Sequence, residues 1–129
     1  MRLNHVTVAV SDVERSVDFY KRLGLRQIVA NYPHYARFVC PDGDSTFSLA
    51  ALPSGAELPP PSTTVHFECD DLDRTVEALK AKGFAFEQDP IDQPYLWREA
   101  ILEDPDGNVI FLFHAGKNRL DPPWRLPES

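Results

Sequence analysis

Two histidines and a glutamate stand where their chemistry could combine. His66 and Glu68 are two positions apart in the β-rich stretch TTVHFECDD, and His5 lies in a second such stretch, LNHVTVAV. Residues two apart on a strand point to the same face of a sheet. Two imidazoles and a carboxylate can hold a catalytic metal, and they can also move protons without one. We therefore predict that His5, His66 and Glu68 are catalytic residues and metal ligands.

A simpler alternative needs no catalytic site. In this alternative His66 and Glu68 hydrogen-bond one another, or line a polar pocket. Ligands two apart on one strand are about 6–7 Å apart at Cα, which makes a shared metal harder to reach.

The composition is that of a small globular protein with few classes of partner. The chain has 129 residues, enough for one domain, and its formal net charge of −7 gives no basic surface for nucleic acid or anionic membrane. No apolar run approaches the roughly 18 residues of a membrane span, and the N-terminus does not resemble a signal peptide. The two cysteines, Cys40 and Cys69, form no CxxC motif. We expect reduced thiols and a cytoplasmic protein.

Two helical segments repeat one another. SDVERSVDFYKRLG and DDLDRTVEALKAKG superimpose at an offset of 59 residues. Capping-box patterns that open at Ser11 and at Asp70 predict the helix starts, and Gly24 and Gly83 predict the ends. The apolar residues at helical spacing are Val13, Val17 and Tyr20 in the first segment and Leu72, Val76 and Leu79 in the second.

The flanking segments repeat as well. Each helix follows a β-rich run and precedes another extended run, at 25–30 and at 84–88. A hairpin with a Pro-Asp-Gly turn then ends each half, at 41–43 and at 105–107. The predicted fold is α+β, with two βαβββ modules.

These modules define the predicted organisation of the chain. The Gly- and Pro-containing stretch LPSGAELPPPS reads as a linker, and the C-terminal stretch is proline-rich. The predicted parts are one domain over 1–116, made of module 1 (1–51), the linker (52–62) and module 2 (63–116), and a tail over 117–129.

Three stretches resemble a known superfamily: NHVTVAVSDVERSVDFYKRLGL, FECDDLDRTVEALKAKG and REAILEDPDGNVIFLF. They are similar to the vicinal oxygen chelate superfamily, which includes glyoxalase I, bleomycin-resistance proteins, fosfomycin-resistance enzymes and extradiol dioxygenases. The resemblance implies that the two modules form an incomplete barrel and that the chain forms a homodimer. In the superfamily that the chain resembles, the enzymes hold a divalent metal in the cup of the barrel. The binding proteins of the superfamily use the same cup without a metal.

The resemblance also implies where metal ligands should lie, on the first and last strand of each module. His5 occupies the first of these positions, and the 59-residue offset places Thr64 at its counterpart. The family pattern DPDGN-x-x-E would put a carboxylate at 111, where this chain has Phe111, and the matching place in module 1 is near Ser48. Thr is a poor ligand and Phe cannot coordinate a metal.

Two aromatic stretches, NYPHYARF and DQPYLWREA, lead into the hairpins and could border the cup. Ligand sites combine apolar and aromatic walls with a few polar groups. The alternative is that the aromatic residues belong to the core or to a dimer contact, and that Arg98 forms a surface ion pair. The predicted substrate-binding residues are Tyr35, Tyr95, Trp97, Arg98 and Phe111.

Two functions follow from these residues. The first is a lyase-, isomerase- or dioxygenase-like enzyme that acts on a small oxygenated molecule, with one divalent metal (Zn, Ni, Mn or Fe) or by acid–base chemistry. The second is a metal-free protein of the bleomycin-resistance type that binds a small aromatic or cationic compound. Both predict a small-molecule ligand and a homodimer, without nucleic acid or membrane.

Overall fold

The computed structural model describes residues 1–60 and 62–127, and the chain divides into two compact units. Unit 1 comprises Met1–Ser62 and the short segment Asp104–Asn108, and unit 2 comprises Thr63–Glu103 and the chain from Val109 onward. Both units have the element order strand, helix, three strands, so the predicted α+β class with two βαβββ modules is confirmed.

Each unit contains one helix and one four-stranded sheet. The elements of unit 1 are β1 (His5–Val10), α1 (Val13–Leu23), β2 (Arg26–Asn31), β3 (Tyr35–Val39) and β4 (Thr46–Ala51). Those of unit 2 are β5 (Thr64–Glu68), α2 (Leu72–Ala81), β6 (Gln88–Asp92), β7 (Arg98–Glu103), β8 (Val109–His114) and a 3-10 helix (Gly116–Arg119). Sheet 1 has the order β1-β4-β3-β2 and sheet 2 the order β5-β8-β7-β6. In both, the first strand is parallel to the last, and the other neighbours are antiparallel.

The helices begin one residue later than their capping boxes predict. The N-caps are Asp12 and Asp71, whose carboxylates accept the backbone N–H of the residue three positions on. Ser11 and Asp70 were therefore the wrong caps. The Ser11 hydroxyl is used elsewhere, since it donates to Asp106 at 2.5 Å. Gly24 is the C-cap of α1, as predicted, at a φ of +124°.

The predicted apolar stripes of both helices are buried against their own sheets. In unit 1, the ring of Tyr20 lies 4.7 Å from that of Phe47 and 6.0 Å from that of Phe38. In unit 2, α2 packs on β7 and β8, where Ala100 and Leu102 are fully buried. Because side chains alternate along a strand, the intervening residues lie on the opposite face, which we call the distal face of each sheet.

The two Pro-Asp-Gly turns have the predicted backbone, with φ of +88° at Gly43 and +84° at Gly107. The second turn belongs to unit 1 and is densely bonded there. The buried carboxylate of Asp104 accepts hydrogen bonds from the Tyr20 hydroxyl at 2.8 Å and from the backbone and side chain of Asn108. Burial and the Asp104 carboxylate together raise the pKa of Tyr20.

Some boundaries differ from the predicted ones. The second extended run of module 2 is a strand over Gln88–Asp92 and not over 84–88, because Phe84 is buried and its N–H donates to Leu79 at the end of α2. The linker has no helix or strand in its described residues, and Pro61 lies outside them. The tail is not wholly irregular, since the 3-10 helix reaches Arg119; its residues 128 and 129 lie outside the described part. No helix in the described chain is long and apolar enough to span a membrane.

Candidate functional site

Aromatic side chains cover much of the distal face of sheet 2. His66 pairs with Phe111 across β5 and β8, and the two rings stack with centroids 4.4 Å apart and planes at 19°. Trp97 stacks on Phe113 at 4.8 Å and 25°, and Tyr95 meets Trp97 edge-on at 6.0 Å. The predicted residues Tyr95, Trp97 and Phe111 therefore lie in one aromatic group with His66.

The loop before β7 orients two of these rings. Its turn is closed by the Gln93 N–H, which donates to the Trp97 carbonyl at 2.8 Å, and by the Leu96 N–H, which donates to Gln93. Leu96 has a φ of +67°, a left-handed conformation that residues other than Gly, Asn and Asp seldom adopt. The Trp97 indole N–H donates to the Asn118 carbonyl at 3.3 Å, which ties the ring to the 3-10 helix.

A carboxylate is buried beside this aromatic group. Glu99 is opposite Phe113 in the β7–β8 ladder and is only 3% exposed. Its side chain accepts a short hydrogen bond from the Tyr95 hydroxyl, and this bond raises the pKa of Tyr95 to about 12. Among the described residues, Glu99 forms no salt bridge. Buried glutamates are ordinarily paired with a cation, so this carboxylate is an exception.

His66 does not supply the missing positive charge. Burial lowers the pKa of His66, and the negative charge of Glu99 acts against this lowering without reversing it. Burial therefore favours the neutral imidazole. A neutral ring stacked on Phe111 behaves as part of the aromatic surface and retains a lone pair that can accept a proton.

Glu68 is bonded to the C-terminal end of its own unit. Its Oε2 accepts the N–H of Ala115 at 2.7 Å and that of Gly116 at 3.0 Å, and its Oε1 lies 3.7 Å from Arg119 Nε. These bonds fix the chain as it leaves β8 and enters the 3-10 helix. The structure thus gives Glu68 a structural task, and its catalytic role stays a prediction.

The distal face of sheet 1 carries hydroxyls, an imidazole and a guanidinium. His5 Nδ1 lies 2.6 Å from Thr46 Oγ1, and His5 Nε2 lies 3.2 Å from Thr7 Oγ1. The Tyr35 hydroxyl lies 2.6 Å from the Oγ of the fully buried Ser48. His5 and Tyr35, both predicted site residues, therefore lie in one polar group within unit 1.

Arg98 does not lie with the aromatic group, and its substrate-binding role stays a prediction. It alternates with Glu99 along β7, so it points to the α2 side of the sheet. There its guanidinium contacts the Oδ1 atoms of Asp73, at 3.1 Å, and Asp92, at 3.0 Å. The alternative interpretation of Arg98 as a surface ion pair is the one the geometry supports.

The residues at the implied metal-ligand positions do not fit a metal. Both ring nitrogens of His5 are hydrogen-bonded to hydroxyls, Ser48 is bonded to Tyr35, and Phe111 has no donor atom. Across the described chain, no three His, Cys, Asp or Glu side chains form a group that could hold a metal ion. A shared site of His5, His66 and Glu68 therefore stays a prediction.

Glu99 was not among the predicted site residues, although strand alternation in REAILE could have identified it. Ala100 and Leu102 are apolar and face the helix, so Arg98 belongs to their set and Glu99 to the opposite one. The same reasoning applied to STFSLA assigns Thr46 and Ser48 to the face of His5. In the register of β1 and β4, Ser48 is opposite Thr7, just as Phe111 is opposite His66 in the register of β5 and β8.

Comparison with known proteins identifies the family to which the chain belongs. The family model described as "Glyoxalase/Bleomycin resistance protein/Dioxygenase superfamily" matches residues 2–112. The uncharacterized protein YraH of Bacillus subtilis (strain 168) is 29% identical over 127 residues, which cover 88% of this chain and 98% of that protein.

Solved structures agree with this match. A glyoxalase/bleomycin resistance protein/dioxygenase from Nocardioides has a TM-score of 0.76 and 25% identity, with 98% of this chain and 90% of that chain covered. A lactoylglutathione lyase from Agrobacterium tumefaciens has a TM-score of 0.75 over 93% and 96% of the two chains. At 16% identity, the second likeness concerns the fold alone.

Proposed function

Because the chain belongs to the glyoxalase/bleomycin resistance protein/dioxygenase superfamily, we propose that it binds a small aromatic cation without a metal. The ligand lies against the distal face of sheet 2. The observation that carries this proposal is the buried carboxylate of Glu99, which has a tyrosine hydrogen bond but no salt bridge among the described residues.

The cost of burying a carboxylate favours a cationic ligand. An unpaired buried charge is destabilising, whereas an ammonium brought to it forms a charge-assisted hydrogen bond. The neutral His66 leaves this charge uncompensated within the group. The chain's net charge of −7 further favours cations over anions in the approach to the protein.

The aromatic rings supply the remaining affinity. Trp and Tyr faces attract cations, and offset stacking favours a planar ligand. Trp97 and Phe113 are parallel to within 25°, as are His66 and Phe111, so a planar ligand would extend either stack. A planar, positively charged compound matches both features of this face.

Ligand binding tests the proposal directly. Benzylammonium, benzyl alcohol and benzoate share a ring and differ in charge, and Trp97 fluorescence reports their binding in a Trp124→Phe background. We expect the cation to bind and the anion not to bind. Glu99→Gln should weaken cation binding about tenfold or more, because a hydrogen bond to a charged group is worth about 1.5–3 kcal/mol.

The matched control is Glu77→Gln, which removes the same charge from the exposed surface of α2. It should leave the affinity within about twofold, because a screened surface charge contributes little. Equal affinity for the cation and the alcohol, or an unchanged affinity in Glu99→Gln, would rule the proposal out.

An acid–base enzyme is the second candidate, favoured by the neutral imidazole of His66. A base with a pKa below its ordinary value is available to accept a proton at pH 7. Mass spectrometry after incubation separates the two functions, because a binding protein returns its ligand unchanged. Turnover that is lost in His66→Gln would establish the enzyme.

The metal and the homodimer stay predictions with their own tests. Elemental analysis after incubation with Zn, Ni, Mn or Fe should find less than about 0.1 equivalent of metal, because a true site retains its ion. Sedimentation at several concentrations determines whether the chain forms the dimer that its family implies.

A further inference from the structure

We propose that the distal face of sheet 1 is an oxyanion-binding site, in which the guanidinium of Arg37 holds the carboxylate of a small molecule. The site uses residues of unit 1 only. It does not depend on the cation-binding function proposed for sheet 2.

Arg37 is held in place yet has no acidic partner among the described residues. Its Nε donates to the Tyr35 hydroxyl at 2.9 Å, and its Cζ lies 5.4 Å from the centre of the Tyr35 ring. No described residue forms a salt bridge with Arg37, whereas Arg15 and Arg98 each have an aspartate within about 3 Å. The two terminal NH₂ groups therefore remain available as a fork, the geometry that recognises a carboxylate bidentately.

The surroundings of Arg37 are neutral hydroxyls. In the strand register Arg37 is opposite Ser48, which is opposite Thr7, so the three side chains form one row across β3, β4 and β1. Ser48 is fully buried, and its hydroxyl is bonded to that of Tyr35. Ser48 therefore supports the Tyr35 hydroxyl, whereas the hydroxyl of the exposed Thr7 can turn its hydrogen toward an anion.

No acidic residue lies among the described side chains that β1, β3 and β4 direct to this face. The members of this set, in addition to Arg37, are His5, Thr7, Ala9, Tyr35, Val39, Thr46, Ser48 and Ala50. This is unexpected in a chain with 20 Asp and Glu residues. Among the described side chains of these three strands, an anion on this face would meet positive charge and hydroxyls and no like charge.

Hydrogen bonding at the phenol is consistent with the site. Burial alone would raise the pKa of Tyr35, but hydrogen bonds from Ser48 and Arg37 and the charge of Arg37 lower it. Groups that stabilise a phenolate oxygen also stabilise a bound carboxylate oxygen. Tyr35 thus orients the guanidinium, and its hydroxyl shares hydrogen-bond donors with the bound carboxylate.

NMR titration of the full chain with acetate, acetamide and inorganic phosphate at constant ionic strength tests the inference. We expect acetate to shift the Arg37 Nε–Hε signal saturably, and the uncharged acetamide to leave it unmoved. Saturation by phosphate but not by acetate would overturn the assignment to a carboxylate. An unmoved signal with both anions would overturn the site altogether.

Variants identify the residue responsible. Arg37→Gln should weaken acetate binding about tenfold or more, and Arg37→Lys, which keeps the charge but not the fork, should weaken it severalfold. Arg22→Gln on α1 removes the same charge and should have no effect beyond screening. If Arg37→Gln does not fold, Arg37→Lys and Tyr35→Phe decide, and wild-type affinity in both would overturn the proposal.

Discussion

The distal faces of the two sheets differ in polarity although their modules follow one plan. The face of sheet 1 carries hydroxyls, His5 and the guanidinium of Arg37. The face of sheet 2 carries stacked rings and the buried carboxylate of Glu99. The same strand order and register therefore support opposite charges, which teaches that this scaffold restricts side-chain positions and leaves their chemistry free.

The helix sides of the sheets differ at one repeat position. Tyr20 and Leu79 are 59 residues apart, the offset that relates the two helices, and both are buried. Only Tyr20 has a hydroxyl, which donates to Asp104 in the turn that belongs to unit 1. The two modules thus share a hydrophobic stripe but not the polar contact made through it.

The largest expected effect on stability is a difference between the two Pro-Asp-Gly turns when each loses its aspartate. The side chain of Asp106 is almost fully buried and accepts hydrogen bonds from the Ser11 N–H and hydroxyl and from Arg15. Asp106→Ala should lower the free energy of unfolding by about 2–3 kcal/mol, because it leaves several donors without an acceptor. Its counterpart Asp42 is exposed, so Asp42→Ala should change that free energy by less than about 0.5 kcal/mol.

Urea denaturation followed by circular dichroism measures both changes. A double-mutant cycle with Arg15→Ala should show positive coupling, since the variants remove one shared contact. Similar losses of unfolding free energy in Asp106→Ala and Asp42→Ala would mean that the two turns are equivalent. The expected asymmetry between the modules would then be wrong at this position.

A smaller effect concerns a feature that the modules share. Asp12 and Asp71 each cap a helix through the N–H three residues on, so Asp12→Ala and Asp71→Ala should each lower the free energy of unfolding by about 1 kcal/mol. Asp70→Ala is the matched control, since Asp70 precedes the cap and is exposed. A larger loss in Asp70→Ala than in Asp71→Ala would restore the capping box that the sequence predicts. The same denaturation series supplies these values.

The repeat was predictable because it depends on local patterns. Helical spacing and the 59-residue offset correctly place both helices, which begin at Val13 and Leu72. The caps were misplaced by one residue because a serine or an aspartate could serve at either position. The choice at Ser11 depends on its hydrogen bonds to Asp106, which lies 95 positions away in sequence. Local sequence contains no record of such a contact.

The site was predicted less well than the fold. Tyr95 and Trp97 could be chosen by residue type, because ligand sites combine aromatic walls with a few polar groups. Phe111 was chosen through the position at which the family pattern has a carboxylate. Arg98 was chosen for its charge, whereas its position on the strand places its guanidinium beside Asp73 and Asp92. The left-handed φ of Leu96, which affects the ring positions around it, could not be foreseen because leucine seldom adopts that conformation.

The smallest expected effect tests the charge state of His66, on which the contrast between the faces depends. Burial lowers the pKa of His66, so the folded protein binds this proton less readily than the unfolded chain, whose ordinary value is about 6.5. Its contribution to stability is therefore present above about pH 6.5 and is lost as the pH falls through the lower, folded value. In His66→Phe, which keeps a stacked ring but cannot titrate, the decline in unfolding midpoint from pH 7 to pH 5 should be shallower than in the wild type.

His5→Phe is the matched imidazole loss in unit 1, and NMR titration of the His66 ring protons gives the folded pKa directly. A midpoint of this NMR titration above pH 6.5 would mean that His66 is a cation near neutral pH. Glu99 would then have its counter-charge within the protein itself.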